Sequence, residues 1–388
     1  MTNETVKGFK DYSGEEALKR EKIKKLLIEK FKIYGFMPCE TPIIEFEEFV
    51  KGENTRDEAI SDIFKLKDKG ERNLALRYEF TFQLKRLAQN KKLPFRRYQV
   101  GEVFRDEPIS SNRFRQFTQC DIDVIGSTIK DDAEVLKVFS EILDELGIEY
   151  EIEINNRKLL NELLELEGIK QKEQVIREID KINKLPEQEI KNNLKRYNAE
   201  RLLDILKRPL DFFKKYNPYK EVEELLSYCK NFKLNVKFSP YLARGLSYYN
   251  GNIFEIKLKG AKESIAGGGS YLINNIQSTG ISFGLERLSG LAKIDVDGIK
   301  AIVISINQEE KAMEIMQSLR KERISCFMMD KISKALEYAN QENIPYVIFI
   351  GEDEIKKKKF KLRDMKTGKE EFLTSKAIAE KIKSKCNN

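Results

Sequence analysis

The chain opens with apolar residues at helical spacing. Between Gly14 and Gly35 they recur on one face of a helix, which predicts a long amphipathic helix. After Gly35 the pattern becomes extended. Strand-like segments follow at 36–45, 63–67, 74–77, 97–104 and 115–125. The first 150 residues therefore predict an α+β fold with an antiparallel sheet.

The middle of the chain changes character. Leucine and isoleucine recur in threes and fours between Asn156 and Lys230, which predicts a wholly helical segment. Strand patterns return at 233–238, 252–258 and 280–283. The helical segment is therefore predicted to be an insertion at 156–230, between a first core part at 1–155 and a second core part at 231–295.

The last ninety residues alternate between strand and helix. The predicted order is strand 301–306, helix 309–321, strand 324–328, helix 332–342 and strand 346–350, followed by a hairpin-like pair and a final helix. Such alternation is typical of a small α/β domain with a largely parallel sheet, here placed at 299–388.

Composition limits the class of protein. The 388 residues are enough for two or three domains, and 35% of them are charged. Mean hydropathy is −0.53, and no apolar run approaches the roughly 20 residues that a bilayer crossing needs. The first ten residues contain no apolar core typical of a secretory signal. We expect a soluble, cytoplasmic protein without a membrane partner.

The net charge and the cysteines limit the function less than hydropathy does. The net charge is +7, and residues 300–388 contribute +5 of it with 19 basic and 14 acidic side chains. That region is the better candidate for a nucleic-acid surface, although a solvated lysine-rich face is the simpler alternative. Five widely spaced cysteines indicate neither a zinc cage nor a disulfide framework.

The chain contains no histidine. Serine–histidine–aspartate, cysteine–histidine and histidine–metal catalysis are therefore excluded, because each needs an imidazole. Any chemistry must depend on arginine, lysine, carboxylates, backbone dipoles or groups of the substrate.

Two consecutive strands gather chemically useful side chains. Period-two geometry places Val103, Arg105 and Glu107 on one face of the first predicted strand. The second predicted strand carries Phe117, Gln119, Asp121 and Asp123 on one face. Arginine suits phosphate, a carboxylate suits an exocyclic amine and an aromatic ring suits a nucleobase. A polar, solvent-facing pair of strands is the alternative.

Three strings together resemble the signature motifs of class II aminoacyl-tRNA synthetases. They are Phe36–Glu45 with Pro42, Phe104–Glu107 and Gly284–Arg287. Two further strings, Leu76–Thr81 and Ala243–Glu255, resemble segments peculiar to histidyl-tRNA synthetases. The resemblance covers nearly the whole chain. It implies a class II catalytic core with a helical insertion, a C-terminal anticodon-binding domain, and dimerisation through the first motif.

The resemblance also implies an activity. Histidine would be activated with ATP, accompanied by Mg²⁺, and the histidyl group would pass to the terminal adenosine of tRNA(His). No tightly bound metal or organic cofactor is expected. Arg244 and Arg105 would be catalytic. The residues that would bind ATP are Arg105, Glu107, Arg113, Phe117 and Arg287. The residues that would bind histidine are Glu79, Thr81, Arg105, Gln119, Asp123, Arg244, Tyr248 and Tyr249.

The chain differs from the family at two places. Residues 267–271 read Gly-Gly-Gly-Ser-Tyr where the family has glycine-glycine-arginine-tyrosine-aspartate, so the last three side chains of the string are all replaced. The loop 106–112 lacks a basic residue after its proline. We expect the first difference to affect the histidine pocket and the second to affect recognition of the tRNA acceptor end.

Three other functions are compatible with parts of the pattern. One is a non-catalytic paralogue, the histidine-sensing regulatory subunit of ATP phosphoribosyltransferase, but such proteins typically lose motif arginines and the anticodon domain. The arginines at 105, 113, 244 and 287 are all present here. A class II synthetase for another amino acid conflicts with the 243–255 string, and a pure RNA-binding protein would not need the adenylate-site residues.

Overall fold

The computed structural model describes residues 3–51, 62–110, 113–182, 185–245, 248–261, 264–296 and 298–386. The chain divides into two compact units, residues 1–294 and 295–388. Among the described residues, no helix combines the length and the apolar character that crossing a membrane requires.

The first helix, α1 (Gly14–Ile33), confirms the amphipathic pattern. Ile23, Leu27 and Phe31 are fully buried on one face, while its first turn is acidic and its last turn is basic, as the helix dipole favours. The helix ends before Gly35, which adopts the left-handed conformation that glycine reaches at low cost (φ 76°).

An eight-stranded sheet forms the centre of the first unit. Its spatial order is β1-β5-β6-β11-β10-β9-β7-β8. All neighbours are antiparallel except the two edge pairs, β1 with β5 and β7 with β8. The predicted antiparallel core is therefore confirmed. The strands of this sheet are β1 (Met37–Pro38), β5 (Phe95–Phe104), β6 (Gln116–Ile125), β7 (Tyr150–Asn156), β8 (Val236–Phe238), β9 (Tyr249–Leu258), β10 (Ser264–Ile273) and β11 (Ile276–Gly284).

A small sheet flanks the core. Strands β2 (Ile44–Phe46), β3 (Lys65–Lys67) and β4 (Asn73–Leu76) pair in the order β2-β4-β3. Two short helices, α2 (Glu47–Lys51) and α3 (Leu84–Leu87), accompany it.

The helices of the first unit bury their apolar faces against the large sheet. The ring of Phe139 in α4 (Ile129–Glu145) stacks on Phe283 of β11 with centroids 3.9 Å apart. Six helices then run between β7 and β8, and α11 (Leu285–Leu291) follows β11 directly. The six helices are α5 (Arg157–Leu166), α6 (Lys172–Ile179), α7 (Glu187–Lys195), α8 (Arg201–Leu206), α9 (Leu210–Phe213) and α10 (Tyr219–Asn231).

The second unit contains a five-stranded sheet of order β13-β12-β14-β15-β16. Its first three strands are parallel and the last two are antiparallel, which confirms the predicted α/β alternation and terminal hairpin. Strand β13 begins at Cys326, two residues later than predicted. The elements are β12 (Ala301–Ser305), α12 (Glu309–Lys321), β13 (Cys326–Met329), α13 (Ile332–Gln341), β14 (Tyr346–Ile350), α14 (Glu352–Lys357), β15 (Phe360–Asp364), β16 (Glu370–Leu373) and α15 (Ser375–Cys386).

Candidate active site

The two predicted strands do form an antiparallel hairpin. Its register sets Val103 opposite Phe117, Gly101 opposite Gln119, Gln99 opposite Asp121 and Arg97 opposite Asp123. Strand β5 ends at Phe104, so Arg105 and Glu107 follow the strand instead of lying within it. The backbone N–H of Arg105 still donates to the carbonyl oxygen of Arg115 at 2.8 Å, which keeps Arg105 beside the second strand.

A polar cavity of about 340 Å³ lies beside this hairpin. Residues of β10 and β11 and the start of α11 complete its wall. Seven predicted site residues line it together: Arg105, Glu107, Arg113, Phe117, Gln119, Arg244 and Arg287.

Arg105 lies at the centre of these contacts. Its guanidinium is stacked over the ring of Tyr78, 4.4 Å from the centroid, and lies 5.0 Å from that of Phe117. Its Nη2 donates to Oε1 of Gln119 at 3.4 Å. Because a guanidinium stays charged and presents several donors, Arg105 can bind a phosphate and a carboxylate at once.

Glu107 and Arg113 form one edge of the cavity. Nη1 of Arg113 lies 3.6 Å from Oε2 of Glu107, and the hydroxyl of Tyr78 donates to Oε1 at 3.4 Å. The side chain of Arg113 is 53% exposed, so it is available to an anionic ligand that enters from solvent.

Arg244 approaches the cavity from the loop before β9. Its Nη1 lies 3.5 Å from Oε1 of Glu255. A β-carbon on Gly267 would lie 2.1 Å from that same nitrogen, so glycine at position 267 leaves room for the guanidinium where it lies. The absence of a side chain on β10 therefore lets Arg244 lie against the backbone of the sheet.

Arg287 and Glu286 anchor the start of α11. Nη1 of Arg287 donates to the carbonyl oxygen of Ser264. Both oxygens of Glu286 accept from the backbone N–H of Thr118, at 3.0 and 3.1 Å, and Oε1 lies 2.9 Å from Nη1 of Arg20. These contacts join α1, the hairpin and α11 at one point.

The other five predicted residues are absent from the cavity lining. Glu79, Asp123 and Tyr249 are buried, and Thr81 bonds to the Glu79 carboxylate. The rings of Tyr248 and Tyr249 lie 4.8 Å apart. These residues belong to a largely buried cluster, called the buried pocket below, which adjoins the cavity where Gln119 donates to Asp121 and where the Arg244 guanidinium lies 5.9 Å from the ring centroid of Tyr249. The pocket comprises Glu79, Thr81, Asp121, Asp123, Tyr248, Tyr249 and Tyr271.

Acidic groups dominate this pocket. Burial raises the pKa of Glu79 to about 7 and that of Asp121 to about 8. Oε1 of Glu79 and Oδ1 of Asp121 lack hydrogen-bond partners among the described residues. Unpaired, buried carboxylate oxygens are costly, so this pocket is suited to a ligand that carries N–H donors and positive charge.

Comparisons with known proteins show the family of the chain. The profile of the family described as histidyl-tRNA synthetase matches residues 8–288. The chain belongs to that family. A second profile, described as anticodon binding domain, matches residues 300–385 of the chain.

Individual proteins add detail. Histidine–tRNA ligase 1 of Bacillus cereus is 36% identical over 95% of this chain and 95% of its own length. Histidine–tRNA ligase of Finegoldia magna is 31% identical over 98% and 99% of the two chains. The crystal structure of histidyl-tRNA synthetase from Nostoc sp. PCC 7120 covers 99% of this chain and 100% of its own, with a TM-score of 0.84 and 25% identity.

A second solved structure shares the fold. It is described as an ATP phosphoribosyltransferase regulatory subunit/histidyl-tRNA synthetase from Bacillus halodurans C, with a TM-score of 0.76 and 21% identity over 89% of this chain and 98% of its own. The class II synthetase fold is therefore shared by this family member and by that protein.

The altered glycine-rich string at 267–271 lies within β10. The register between β10 and β9 shifts between Gly269 and Tyr271, and the ring of Tyr271 lies in the buried pocket, 5.6 Å from that of Tyr248. Tyr271 of the altered string therefore lies among the predicted histidine-binding residues, and the expected effect of the string on the histidine pocket stays a prediction.

Sequence reasoning also missed Arg97 among the site residues. Its side chain is fully buried, and Nη2 lies 2.6 Å from Oδ2 of Asp123. The period-two argument applied to Arg105, continued backwards along β5, points to Gln99 and Arg97. The residues 111–112 of the loop before Arg113 lie outside the described residues, as do Leu246 and Ser247 of the 243–255 string.

Proposed function

We propose that this protein is a histidine–tRNA ligase. It activates histidine with ATP to histidyl-adenylate, releases pyrophosphate and transfers the histidyl group to the 3′-terminal adenosine of tRNA(His). The observation that carries this proposal is the junction of two sites at Gln119. An arginine-lined cavity meets a buried, acidic pocket there, as Gln119 accepts from Arg105 and donates to Oδ2 of Asp121 at 2.8 Å.

The cavity supplies the groups that ATP needs. Phe117 stacks on the adenine ring, and the carboxylate of Glu107 accepts from its amino group. Arg113 and Arg287 bind the outer phosphates, and Arg105 binds the α-phosphate together with the histidine carboxylate. All five side chains line the same cavity, which supports this assignment.

The buried pocket supplies the groups that histidine needs. Glu79, Thr81 and Gln119 bind the ammonium group, while Asp123, Tyr248 and Tyr249 surround the imidazole. Apolar amino acids of similar size are rejected, because they would leave buried polar groups unpaired.

Activation needs no general base in this site. The histidine carboxylate attacks the α-phosphorus, a new C–O–P linkage forms, and the bond to pyrophosphate breaks. Arg244 and Arg105 stabilise the negative charge that develops on the α-phosphate oxygens during this in-line displacement. The fixed charge of arginine suits this role, and it agrees with a chain that contains no histidine.

Magnesium is proposed to enter with ATP, bound to its phosphates as part of the substrate. It would neutralise phosphate charge during the displacement. Glu107 is the lining carboxylate nearest to the proposed phosphate ligands Arg105 and Arg113. Among the described residues there is no group of three or more histidine, cysteine or acidic side chains suited to a metal ion.

The remaining proposals concern organisation and partners. We assign the core to 1–155 and 231–295, the insertion to 156–230, and the tRNA anticodon contact to the basic unit at 299–388. A homodimer through the first motif is supported by exposed apolar side chains in the motif and directly after it: Met37, Ile43, Ile44 and Phe46 are each 44–64% exposed. The protein is proposed to act in the cytoplasm.

Charging of tRNA(His) with labelled histidine tests the proposed function. Purified protein, ATP, Mg²⁺ and a tRNA(His) transcript should give histidyl-tRNA, and a transcript for another amino acid should stay uncharged. A regulatory subunit would instead bind the catalytic subunit of ATP phosphoribosyltransferase and alter its response to histidine. Such regulation without any charging would replace the ligase proposal.

A further inference from the structure

The backbone that leads into Arg244 is held by the residues at the end of β7 and the start of α5. Nδ2 of Asn155 donates to the carbonyl oxygens of Pro240 and Leu242, at 3.1 and 2.9 Å. Nη1 of Arg157 donates to the carbonyl oxygen of Arg244 at 3.1 Å. Three carbonyl groups within five residues are therefore fixed by two side chains.

Both of these side chains are removed from solvent. Asn155 is fully buried and Arg157 is 1% exposed. A buried hydrogen bond to a backbone carbonyl resists displacement, since breaking it would leave a donor and an acceptor unpaired. The backbone of residues 240–244 is thus held by specific hydrogen bonds as well as by packing.

Arg157 has a partner of its own in the next helix. Its Nη2 lies 2.5 Å from Oε2 of Glu173 in α6. Glu173 is 46% exposed and Arg157 is 2% exposed in their side chains, so the carboxylate reaches inward from the helix surface. A buried cation without such a partner would be costly, and this pairing keeps the guanidinium directed at the Arg244 backbone.

The Arg244 guanidinium lies directly against the backbone of Gly267. It fits where Gly267 has no β-carbon, with Nη1 only 2.1 Å from where that atom would lie. A shift of the Arg244 backbone would carry the guanidinium away from this place beside Gly267. Neither Asn155 nor Arg157 lines the cavity.

We propose that Arg157, held by Glu173 and assisted by Asn155, is a positioning residue for Arg244. This inference rests on the proposed function, in which Arg244 acts on the α-phosphate. It also assigns a role to the helical insertion, because Arg157 begins α5 and Glu173 belongs to α6. Two helices of the insertion thereby set the geometry of the activation step.

Histidine-dependent ATP–pyrophosphate exchange tests the inference on the full-length protein. Arg157→Ala should lower kcat about 100-fold, the scale of loss for a misplaced catalytic group, with the KM for histidine changed less than twofold. Arg157→Lys should recover part of the rate, and Glu173→Gln should give a smaller fall than Arg157→Ala. Glu165→Gln is the matched control: it breaks an ion pair with Lys172 in the same insertion and should leave exchange unchanged.

A double-mutant cycle separates positioning from general damage. In an Arg244→Ala background, Arg157→Ala should cause no further loss, because the group that it positions is gone. If the two losses multiply, or if Glu173→Gln matches the Glu165→Gln control, the inference is wrong. Should Arg157→Ala fail to fold, Arg157→Lys takes its place in the cycle. Absence of exchange in the natural protein would instead contradict the proposed function.

Discussion

The hydroxyl of Tyr271 donates a hydrogen bond to Oδ1 of Asp123, whose other oxygen lies 2.6 Å from the buried guanidinium of Arg97. The carboxylate of Asp123 is thereby oriented from two sides within the proposed histidine pocket. A β-carbon on Gly280 would lie 2.1 Å from the same Oδ1, so the neighbouring strand leaves space for this arrangement.

Removing the Tyr271 hydroxyl should weaken histidine binding. Tyr271→Phe deletes one hydrogen bond to a charged group, worth roughly 1.5–3 kcal/mol, so the KM for histidine should rise at least about tenfold. The KM for ATP should change much less. Tyr98→Phe, on the other face of the hairpin beside Phe31, is the control and should leave both constants unchanged. An equal rise for ATP and histidine would mean that the hydroxyl stabilises the whole site.

Replacing Phe117 should weaken the binding of ATP and leave the binding of histidine nearly unchanged. Phe117→Leu keeps an apolar side chain and removes the stacking surface for adenine, worth roughly 0.5–1.5 kcal/mol. We expect the KM for ATP to rise up to about tenfold while the KM for histidine stays within twofold. Steady-state exchange kinetics, run beside Tyr271→Phe, would contradict the assignment if both variants affected the same substrate.

Histidine affinity should fall in mild acid because of Glu79. Burial raises its pKa from 4.5 to about 7, and an ammonium ligand binds the ionised form. Below pH 7 binding must displace a proton, so the dissociation constant should rise about tenfold for each pH unit. The imidazole of the ligand titrates in the same range, so Glu79→Gln is the reference. Calorimetry from pH 5.5 to 8 should show that the dissociation constant for histidine depends less steeply on pH in Glu79→Gln. Parallel curves for the variant and the natural protein would show that Glu79 is not the group that causes the pH dependence.

Asp132 should make stability depend on pH. Burial raises its pKa from 3.8 to about 7. The buried carboxyl group accepts hydrogen bonds from Ser270 and Asn252 at 3.0 Å each. The folded chain therefore holds this proton more tightly than the unfolded chain, and the native state loses stability as pH rises from about 4 to about 7.

Asp132→Asn should remove that loss. Relative to the natural protein, its free energy of unfolding should gain up to about 4 kcal/mol between pH 4 and pH 8, from a shift of roughly three pKa units. Urea unfolding at both values measures the difference. Asp204→Asn, at an exposed position of α8, should show no such change. A constant difference between Asp132→Asn and the natural protein would contradict the raised pKa.

Local patterns predicted much of the fold. The period-two placement of side chains predicted the hairpin of β5 and β6. The alternation of strand and helix patterns predicted the order of elements in the second unit. Within the site, the strings around Arg105, Arg244 and Arg287 pointed to one cavity. These features depend on contacts that the periodicity of each segment already encodes.

The rest depends on irregularity and on distant contacts. Between Gly269 and Tyr271 the ladder of β10 and β9 gains two extra residues on β9, because Gly269 pairs with Ile253 and Tyr271 pairs with Tyr249. Arg157 meets the Arg244 carbonyl across 87 residues of sequence. No local pattern marks such a contact, so the sequence does not show that the insertion touches the backbone of Arg244.

Histidine-dependent ATP–pyrophosphate exchange tests the central claim most directly. The natural protein should catalyse exchange with histidine and with none of the other nineteen amino acids, and Arg244→Ala should lower the rate about 100- to 1000-fold. Calorimetry should find that this variant still binds histidine. No exchange by a natural protein that binds histidine would contradict the account and indicate a sensing protein, whereas undiminished exchange in Arg244→Ala would refute the role of Arg244.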